Sequence, residues 1–302
     1  QALFIITAIS VCIVTLGLIF RAPLLSFIFG KVDADVMDNS MVYFFYTVLS
    51  YPFIALYDAG ASIFRAQENT RGPMVISIIS NVMNIGGNAV LIWVFHMGVA
   101  GAAISTLVSR IFCAVVVLYQ LRKDRQPIAV KDYLNIRPDG NMIKRILALG
   151  VPSGVENSMF QLGKLAIQST VSTLGTTAIA AQAMTNIMEM LNGTAVIGVG
   201  IGLMTVVGQS LGAGRKDEAV YYMKKLMIFS EGFLIACCAI VYALAKPITM
   251  IGGMEPESAK MCLNMIFWIT IVKPLVWMPA FIPAYGMRAA GDVKFSMITS
   301  CT

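Results

Sequence analysis

The chain has 302 residues, of which 58% are apolar and only 13% are charged, and its mean hydropathy is +0.78. A soluble domain is about half apolar and about a quarter charged, so this composition excludes an ordinary soluble protein and predicts a membrane protein. The six cysteines and one histidine supply too little material for a disulfide scaffold, a zinc cage or a catalytic histidine pair.

The predicted elements are apolar helices long enough to cross a bilayer. A hydrocarbon core of about 30 Å requires about 20 helical residues. Runs of that kind fall at 1–29, 40–63, 74–95, 98–121, 146–172, 178–207, 226–251 and 261–287. They predict eight spans, and a ninth begins near Lys294. The fold class is therefore expected to be an all-α, polytopic membrane helical bundle.

Lysine and arginine are distributed unevenly over the connections between these spans. Alternate connections hold 15 of the 22, the opposite connections hold four, and Arg110, Lys164 and Lys273 fall inside apolar segments. Because basic residues stay on the cytoplasmic side, the connection 122–145 is predicted to be cytoplasmic in a plasma-membrane protein. The net charge of +6 then reflects topology, and nucleic acid is not an expected partner.

An internal repeat relates the two parts of the chain at an offset of about 223 residues. Residues 20–30 recur as 245–253, and the connection 65–71 recurs as 288–294. The repeating unit is six helices, so both copies cross the bilayer in the same direction and form a parallel repeat. We expect twelve helices in a parent protein that is truncated here at both ends. Residues 1–122 would be helices 3–6 in a partial N-terminal lobe, 123–142 a cytoplasmic inter-lobe linker, and 143–302 a partial C-terminal lobe with helices 7–10 and the start of helix 11.

Several segments resemble one family of transporters. They are 149–164, 173–187 and 200–219, the last of which contains GQSLGAG before a basic connection, together with the two repeated connections at 64–74 and 286–295. At these segments the chain resembles the multidrug and toxic compound extrusion (MATE) transporters. The resemblance implies a V-shaped pair of six-helix lobes that exports small organic, often cationic compounds by alternating access, in exchange for protons or sodium ions. It implies no cofactor besides the coupling ion, and we expect a monomer in the lipid bilayer.

Three ionisable residues inside apolar spans are the first candidates for the site, because charge at bilayer depth is costly. Counted at 1.5 Å per residue from the helix ends, Glu156, Glu189 and Lys273 each come near the midplane, so we expect them to share a depth. Two interpretations stay open. Lys273 neutralises one glutamate in a structural anchor, or the three groups form a net negative site that exchanges a proton or holds Na⁺ near Glu156.

Polar side chains follow the helical period on two neighbouring helices. Gln182, Asn186 and Glu189 form one stripe, and Asn157, Gln161, Lys164 and Gln168 form the other. Amides cannot face lipid, so both stripes are expected to face the lobe interior or the central cavity, as interhelix hydrogen-bond partners or as substrate contacts.

Residues nearer the cytoplasmic surface and helix breakers complete the set. Asp58 and Glu231 are weaker candidates for the cavity. Prolines free backbone groups that neighbours must satisfy, so Pro152, Pro274 and Pro279 are predicted to be helix hinges.

A cation-coupled antiporter is the function that these features favour, and other classes remain as alternatives. A flippase for a lipid-linked precursor could share the architecture, but it needs a basic cavity, and the three intramembrane cations have acids close by. A passive channel is compatible with the composition but has no need of midplane carboxylates. An intramembrane enzyme needs HExxH, Ser/His, paired-Asp or DDxxD arrangements, which the sequence does not supply, so no catalytic residue is expected.

Overall fold

A computed structural model of the chain describes residues 1–29, 34–122 and 139–301, and nearly all of these residues are helical. The chain divides into two compact units, Gln1–Ile146 and Leu147–Thr302. Most of the predicted linker 123–142 lies outside the described residues, at 123–138.

The first unit consists of six α-helices: α1 (Ala2–Ile19), α2 (Arg21–Phe29), α3 (Ala34–Leu49), α4 (Tyr51–Ala66), α5 (Arg71–Ala89) and α6 (Gly98–Leu121). A π-helical turn, Val90–Val94, extends α5. The predicted spans 1–29 and 40–63 are each divided into two helices. Pro23 and Pro52 stand in the first turns of α2 and α4, where a proline starts a helix but cannot continue the preceding one, because it has no N–H and its ring clashes with the previous turn.

The core of the first unit lies where α4 and α5 pack against α6. Phe64, Ile76, Val117 and Leu121 are buried there in one cluster. A hydrogen bond from the Tyr57 hydroxyl to the Pro73 carbonyl oxygen, at 2.9 Å, ties the start of α5 to α4.

Helices α5 and α6 are also joined by polar contacts. The Ser105 hydroxyl donates to the Asn84 carbonyl oxygen at 3.0 Å, and the Asn84 amide donates to the Thr106 hydroxyl at 3.3 Å. Such contacts hold helices together where the hydrophobic effect gives no drive for association.

The second unit contains most of α7 (Gly140–Ser172), together with α8 (Thr176–Gly212), α9 (Lys216–Ile251), α10 (Pro256–Ala289) and α11 (Val293–Cys301). Helices α8, α9 and α10 pack on one another around two apolar clusters. Leu203, Leu234 and Ile282 are buried in one cluster, and Met188 and Ile266 are buried in the other.

The structure repeats one turn at the predicted offset. In the first unit, Glu68 has a positive φ of 64° and the Asn69 N–H donates to the Phe64 carbonyl oxygen at 3.0 Å. In the second, Gly291 has a φ of 87° and the Asp292 N–H donates to the Met287 carbonyl oxygen at 3.0 Å. The side chain of each of these polar residues then accepts a backbone N–H three residues later, at 3.2 Å in both turns. The same helix ending and the same start of the next helix thus occur 223 residues apart.

Seven helical segments in the described part of the chain are long and apolar enough to cross a membrane: Ala2–Ile19, Met37–Ala66, Arg71–Val94, Gly98–Leu121, Thr176–Gly212, Lys216–Ile251 and Pro256–Ala289. The predicted span 146–172 corresponds to α7, which is long enough but less apolar than these seven. Large apolar side chains such as Ile85, Trp93 and Leu275 are exposed on the helix surfaces, as lipid-facing side chains are. The all-α, polytopic membrane fold is confirmed.

Candidate functional site

Helix α10 positions the charged groups of the candidate site. Lys273 and Arg288 are 15 residues apart on it, which corresponds to about 22 Å along the axis and about 60° around it. Trp277 and Phe281 fall between them, within about 80° of Lys273 around the helix. One side of α10 therefore carries two cations with two aromatic rings between them.

The first ion pair joins Arg288 to Glu156 of α7. The Arg288 Nη2 atom is 2.8 Å from the Glu156 Oε1 atom, and the Ser296 hydroxyl of α11 donates to Glu156 Oε2 at 3.2 Å. The Glu156 side chain is 8% exposed and that of Arg288 is 20% exposed. Both charges have left water and depend on each other, so one carboxylate holds three helices together.

The second ion pair joins Lys273 to Glu189 of α8. The Lys273 Nζ atom is 3.3 Å from Glu189 Oε1, and it also donates to the Glu189 carbonyl oxygen at 3.4 Å. It lies 5.7 Å from the centre of the Trp277 ring, a cation–π distance. The Lys273 side chain is 7% exposed, whereas that of Glu189 is 38% exposed.

A series of aromatic rings lies between the two ion pairs. Trp277 and Phe281 are stacked with their centres 4.8 Å apart, and Phe160 of α7 meets Phe281 edge to face at 5.4 Å. Phe160 is one turn beyond Glu156, so α7 contacts α10 through both an ion pair and a ring.

The expectation that Glu156, Glu189 and Lys273 share a depth is wrong. Glu156 lies at the level of Arg288, about 22 Å along α10 from Lys273. Counting residues from the helix ends treated Arg288 as part of a connection, whereas it lies in the last turn of α10 and is largely buried. Each glutamate has its own cation instead of sharing Lys273.

The two polar stripes differ in their surroundings. Gln182 is buried, and its Oε1 atom has no hydrogen-bond partner among the described residues. Asn186 is exposed, and Gln161 is exposed beside Asn157 in a shallow groove on α7, so these amides do not face the interior of their own unit. Asn192, which sequence analysis missed, lies one turn beyond Glu189 and is 1% exposed.

Asp58 belongs to the first unit and is exposed on α4. Its carbonyl oxygen accepts a hydrogen bond from the Ser62 hydroxyl, which in turn accepts one from Arg65 at 3.0 Å. The other intramembrane cation of this unit, Arg110, donates to the hydroxyl of Ser50 at the break between α3 and α4.

The predicted hinges lie within continuous helices. Helix α7 runs through Pro152, and α10 runs through Pro274, Pro279 and Pro283. Their role as hinges stays a prediction.

Sequence analysis also missed Arg288 and Ser296 as members of the site. The positive-inside rule assigned Arg288 to the cytoplasmic surface, although its position on the same side of α10 as Lys273 was available from the helical period. Ser296 carried no such indication, because a lone serine in an apolar helix is common.

Within the described ranges, no group of three or more His, Cys, Asp and Glu residues lies close enough together to hold a metal ion. The carboxylate of Glu156 is engaged by Arg288 and Ser296. A sodium ion at Glu156 would therefore have to displace the guanidinium.

Comparisons with known proteins agree with the resemblance seen in the sequence. The MatE family model matches residues 1–90 and 152–302. The probable multidrug resistance protein YoeA of Bacillus subtilis is 26% identical over 97% of this chain and 64% of its own length. The probable multidrug resistance protein NorM of Thermotoga maritima is 24% identical over 76% of this chain and 50% of its own length. The chain thus spans about half to two thirds of these relatives.

Solved structures share the fold. The outward-facing conformation of a multidrug resistance MATE family transporter of the MOP superfamily matches with a TM-score of 0.89 and 16% identity, over 99% of this chain and 66% of that one. The inward-facing conformation described under the same family name matches with a TM-score of 0.74 and 17% identity, over 99% of this chain and 68% of that one. At this identity the likeness shows the fold alone.

Proposed function

The chain belongs to the MatE family, and from that membership we propose that the protein exports drug-like organic compounds across a membrane by cation-coupled antiport. The relatives in Bacillus subtilis and Thermotoga maritima, both described as probable multidrug resistance proteins, support this function. The coupling ion is a proton or a sodium ion, and the substrates are small and often cationic.

The single observation that carries the proposal is the buried carboxylate of Glu156. It lies at the junction of α7, α10 and α11, and it is held by Arg288 and Ser296. A carboxylate at this place can take up a proton or another cation, and either event weakens its bond to Arg288. Uptake of an ion at Glu156 would therefore alter the contact between helices, which is what alternating access requires.

The remaining parts of the proposal concern the setting of the protein. We propose that it acts as a monomer in the plasma membrane, without a cofactor and with the connection 122–145 in the cytoplasm. Glu189, Gln182 and Asn186 on α8, Gln161 on α7 and Asp58 on α4 are proposed to contribute to the cavity.

An exporter of cations accounts for the charges better than a flippase does. A flippase holds phosphate groups and needs cations that are free to bind them. The cations Lys273 and Arg288 of the second unit are each paired with a glutamate, so no positive charge is left over at either pair.

The test is ethidium accumulation in cells that express the complete gene, with proton and sodium gradients collapsed separately. We expect the unaltered protein to lower ethidium accumulation, collapse of one gradient to abolish the effect, and Glu156→Gln to abolish it without loss of protein from the membrane. Glu218→Gln is the matched control, because Glu218 forms an exposed pair with Arg215 at 3.2 Å. Coupled export that survives Glu156→Gln would contradict the proposal.

A further inference from the structure

Arg288 is held in a different way from the other buried cation on α10. Lys273 has both the carboxylate and the carbonyl oxygen of Glu189 as acceptors. Arg288 reaches the Glu156 carboxylate through Nη2, and its Cζ atom lies 5.4 Å from the centre of the Tyr285 ring. Its Nε atom is buried without a hydrogen-bond partner among the described residues.

This arrangement ties the position of Arg288 chiefly to the charge on Glu156. A guanidinium carries five N–H donors, and a fixed structural arginine usually has several of them satisfied. An unsatisfied buried Nε is a cost of the observed position that disappears when the side chain moves toward water. Arg288 lies in the last turn of α10 and is 20% exposed, so the route to water is short.

We infer that Arg288 is a positioning residue that acts as a tethered counter-ion for Glu156, and that it competes there with the cation that is transported or coupled. The inference rests on the proposed exchange at Glu156. A buried carboxylate left without a partner is strongly unfavourable, so the guanidinium and the arriving cation are alternative partners. When the cation leaves, Arg288 returns, and the carboxylate is never left bare.

Exchange of partners at Glu156 also changes the helix contacts. With Arg288 bound, α10 is fastened to α7, and Ser296 of α11 approaches the other oxygen of the same carboxylate. With a mobile cation bound, the bond between α10 and α7 is lost. Arg288 thereby links the occupancy of Glu156 to the position of α10.

The inference predicts a split between affinity and turnover. Without the competing guanidinium, a cation should bind more tightly to Glu156 and leave more slowly. We therefore expect Arg288→Gln to lower the KM for ethidium roughly fivefold or more, the scale of a typical coupling between two ligands. The same variant should lower kcat, because the return of Arg288 no longer drives release. Loss of a purely structural contact would not lower KM.

The experiment is ethidium uptake into everted membrane vesicles from cells expressing the complete gene, at a range of ethidium concentrations and with an imposed ion gradient. Arg288→Lys keeps the cation and should fall between Arg288→Gln and the unaltered protein. Arg215→Gln is the matched control, because Arg215 pairs with Glu218 on the surface, where its side chain is 63% exposed, and it should leave both constants unchanged.

An unchanged or raised KM in Arg288→Gln would overturn the inference. If that variant does not accumulate in the membrane, Arg288→Lys decides in the same way. Glu156→Gln separates the two proposals. If it abolishes coupled uptake while the Arg288 variants keep the normal KM, only this inference fails. If it leaves coupled uptake intact, or if the unaltered protein does not transport ethidium, the proposed function fails and this inference fails with it.

Discussion

At the scale of single residues, the two ion pairs on α10 differ in which partner is the more deeply buried. In the pair at Lys273, the cation is 7% exposed and the carboxylate is 38% exposed. Water can therefore solvate Glu189 when its partner is removed, but it cannot readily solvate Lys273. The two single substitutions should for that reason have unequal effects.

We expect Glu189→Leu to destabilise the protein by about 3 kcal/mol, because it leaves a buried ammonium without its carboxylate. Lys273→Met should cost clearly less. The double variant should recover most of the loss, since a buried ion pair is often replaced by apolar residues at little cost. Thermal unfolding of the purified protein in detergent measures all three, with Glu218→Leu as the exposed control. Equal losses from the two single variants would contradict this asymmetry.

The sequence was sufficient to select Glu156, Glu189 and Lys273 but not to pair them. Ionisable residues in apolar runs are conspicuous, so composition along the chain identifies them. Their partners depend on how helices tilt and rotate, and a count of residues along one helix contains no such information. This is why Arg288 was assigned to the surface, although it reaches Glu156 at 2.8 Å.

At the scale of elements, close packing of α5 against α6 depends on the absence of a side chain at Gly87. A Cβ atom at Gly87 would collide with the Ser105 hydroxyl, which donates to the Asn84 carbonyl oxygen. The neighbouring Gly86 points away, and a Cβ atom there would meet nothing within 4 Å.

Gly87→Ala should therefore destabilise the protein by about 1–3 kcal/mol, the usual cost of overpacking. Gly86→Ala should be neutral or slightly stabilising, because alanine favours a helix more than glycine does. The melting temperatures of the two purified variants provide the measurement. A loss of stability in both, or in neither, would show that the Ser105 contact does not limit the approach of these helices.

Helix positions follow from apolar runs with good accuracy, but breaks inside those runs do not. The prediction of 98–121 agrees with α6 (Gly98–Leu121), and 226–251 shares its end with α9 (Lys216–Ile251). The breaks before Arg21 and at Ser50 lie within continuous apolar sequence, where hydropathy has no minimum. Only Pro23 and Pro52 mark them, and a proline in an apolar run equally well indicates a kink.

At the scale of the whole molecule, the repeated turns at Glu68 and Gly291 make the internal repeat a structural fact as well as a pattern of letters. A positive φ is costly for glutamate and free for glycine, yet the backbone is the same in both copies. The sequence alone located this repeat, because its basic residues and its spacing persist where most other residues have changed.

The repeat and the distribution of charge together predict which ends of the helices face the cytoplasm. In a background without native cysteines, Glu255→Cys at the start of α10 should react with a membrane-impermeant maleimide in intact cells. Asp217→Cys in the first turn of α9 should react only after permeabilisation. Both positions are exposed, so access and not burial decides the result. The reverse pattern would invert the predicted orientation.

Because both ion pairs are mounted on one side of α10, the helix can act as a shaft that operates two locks. A twist of the whole shaft would open the locks at Lys273 and Arg288 together. A bend near Pro279 would open the lock at Arg288 and leave the other closed. The order in which the two locks open therefore distinguishes a turning rod from a jointed one.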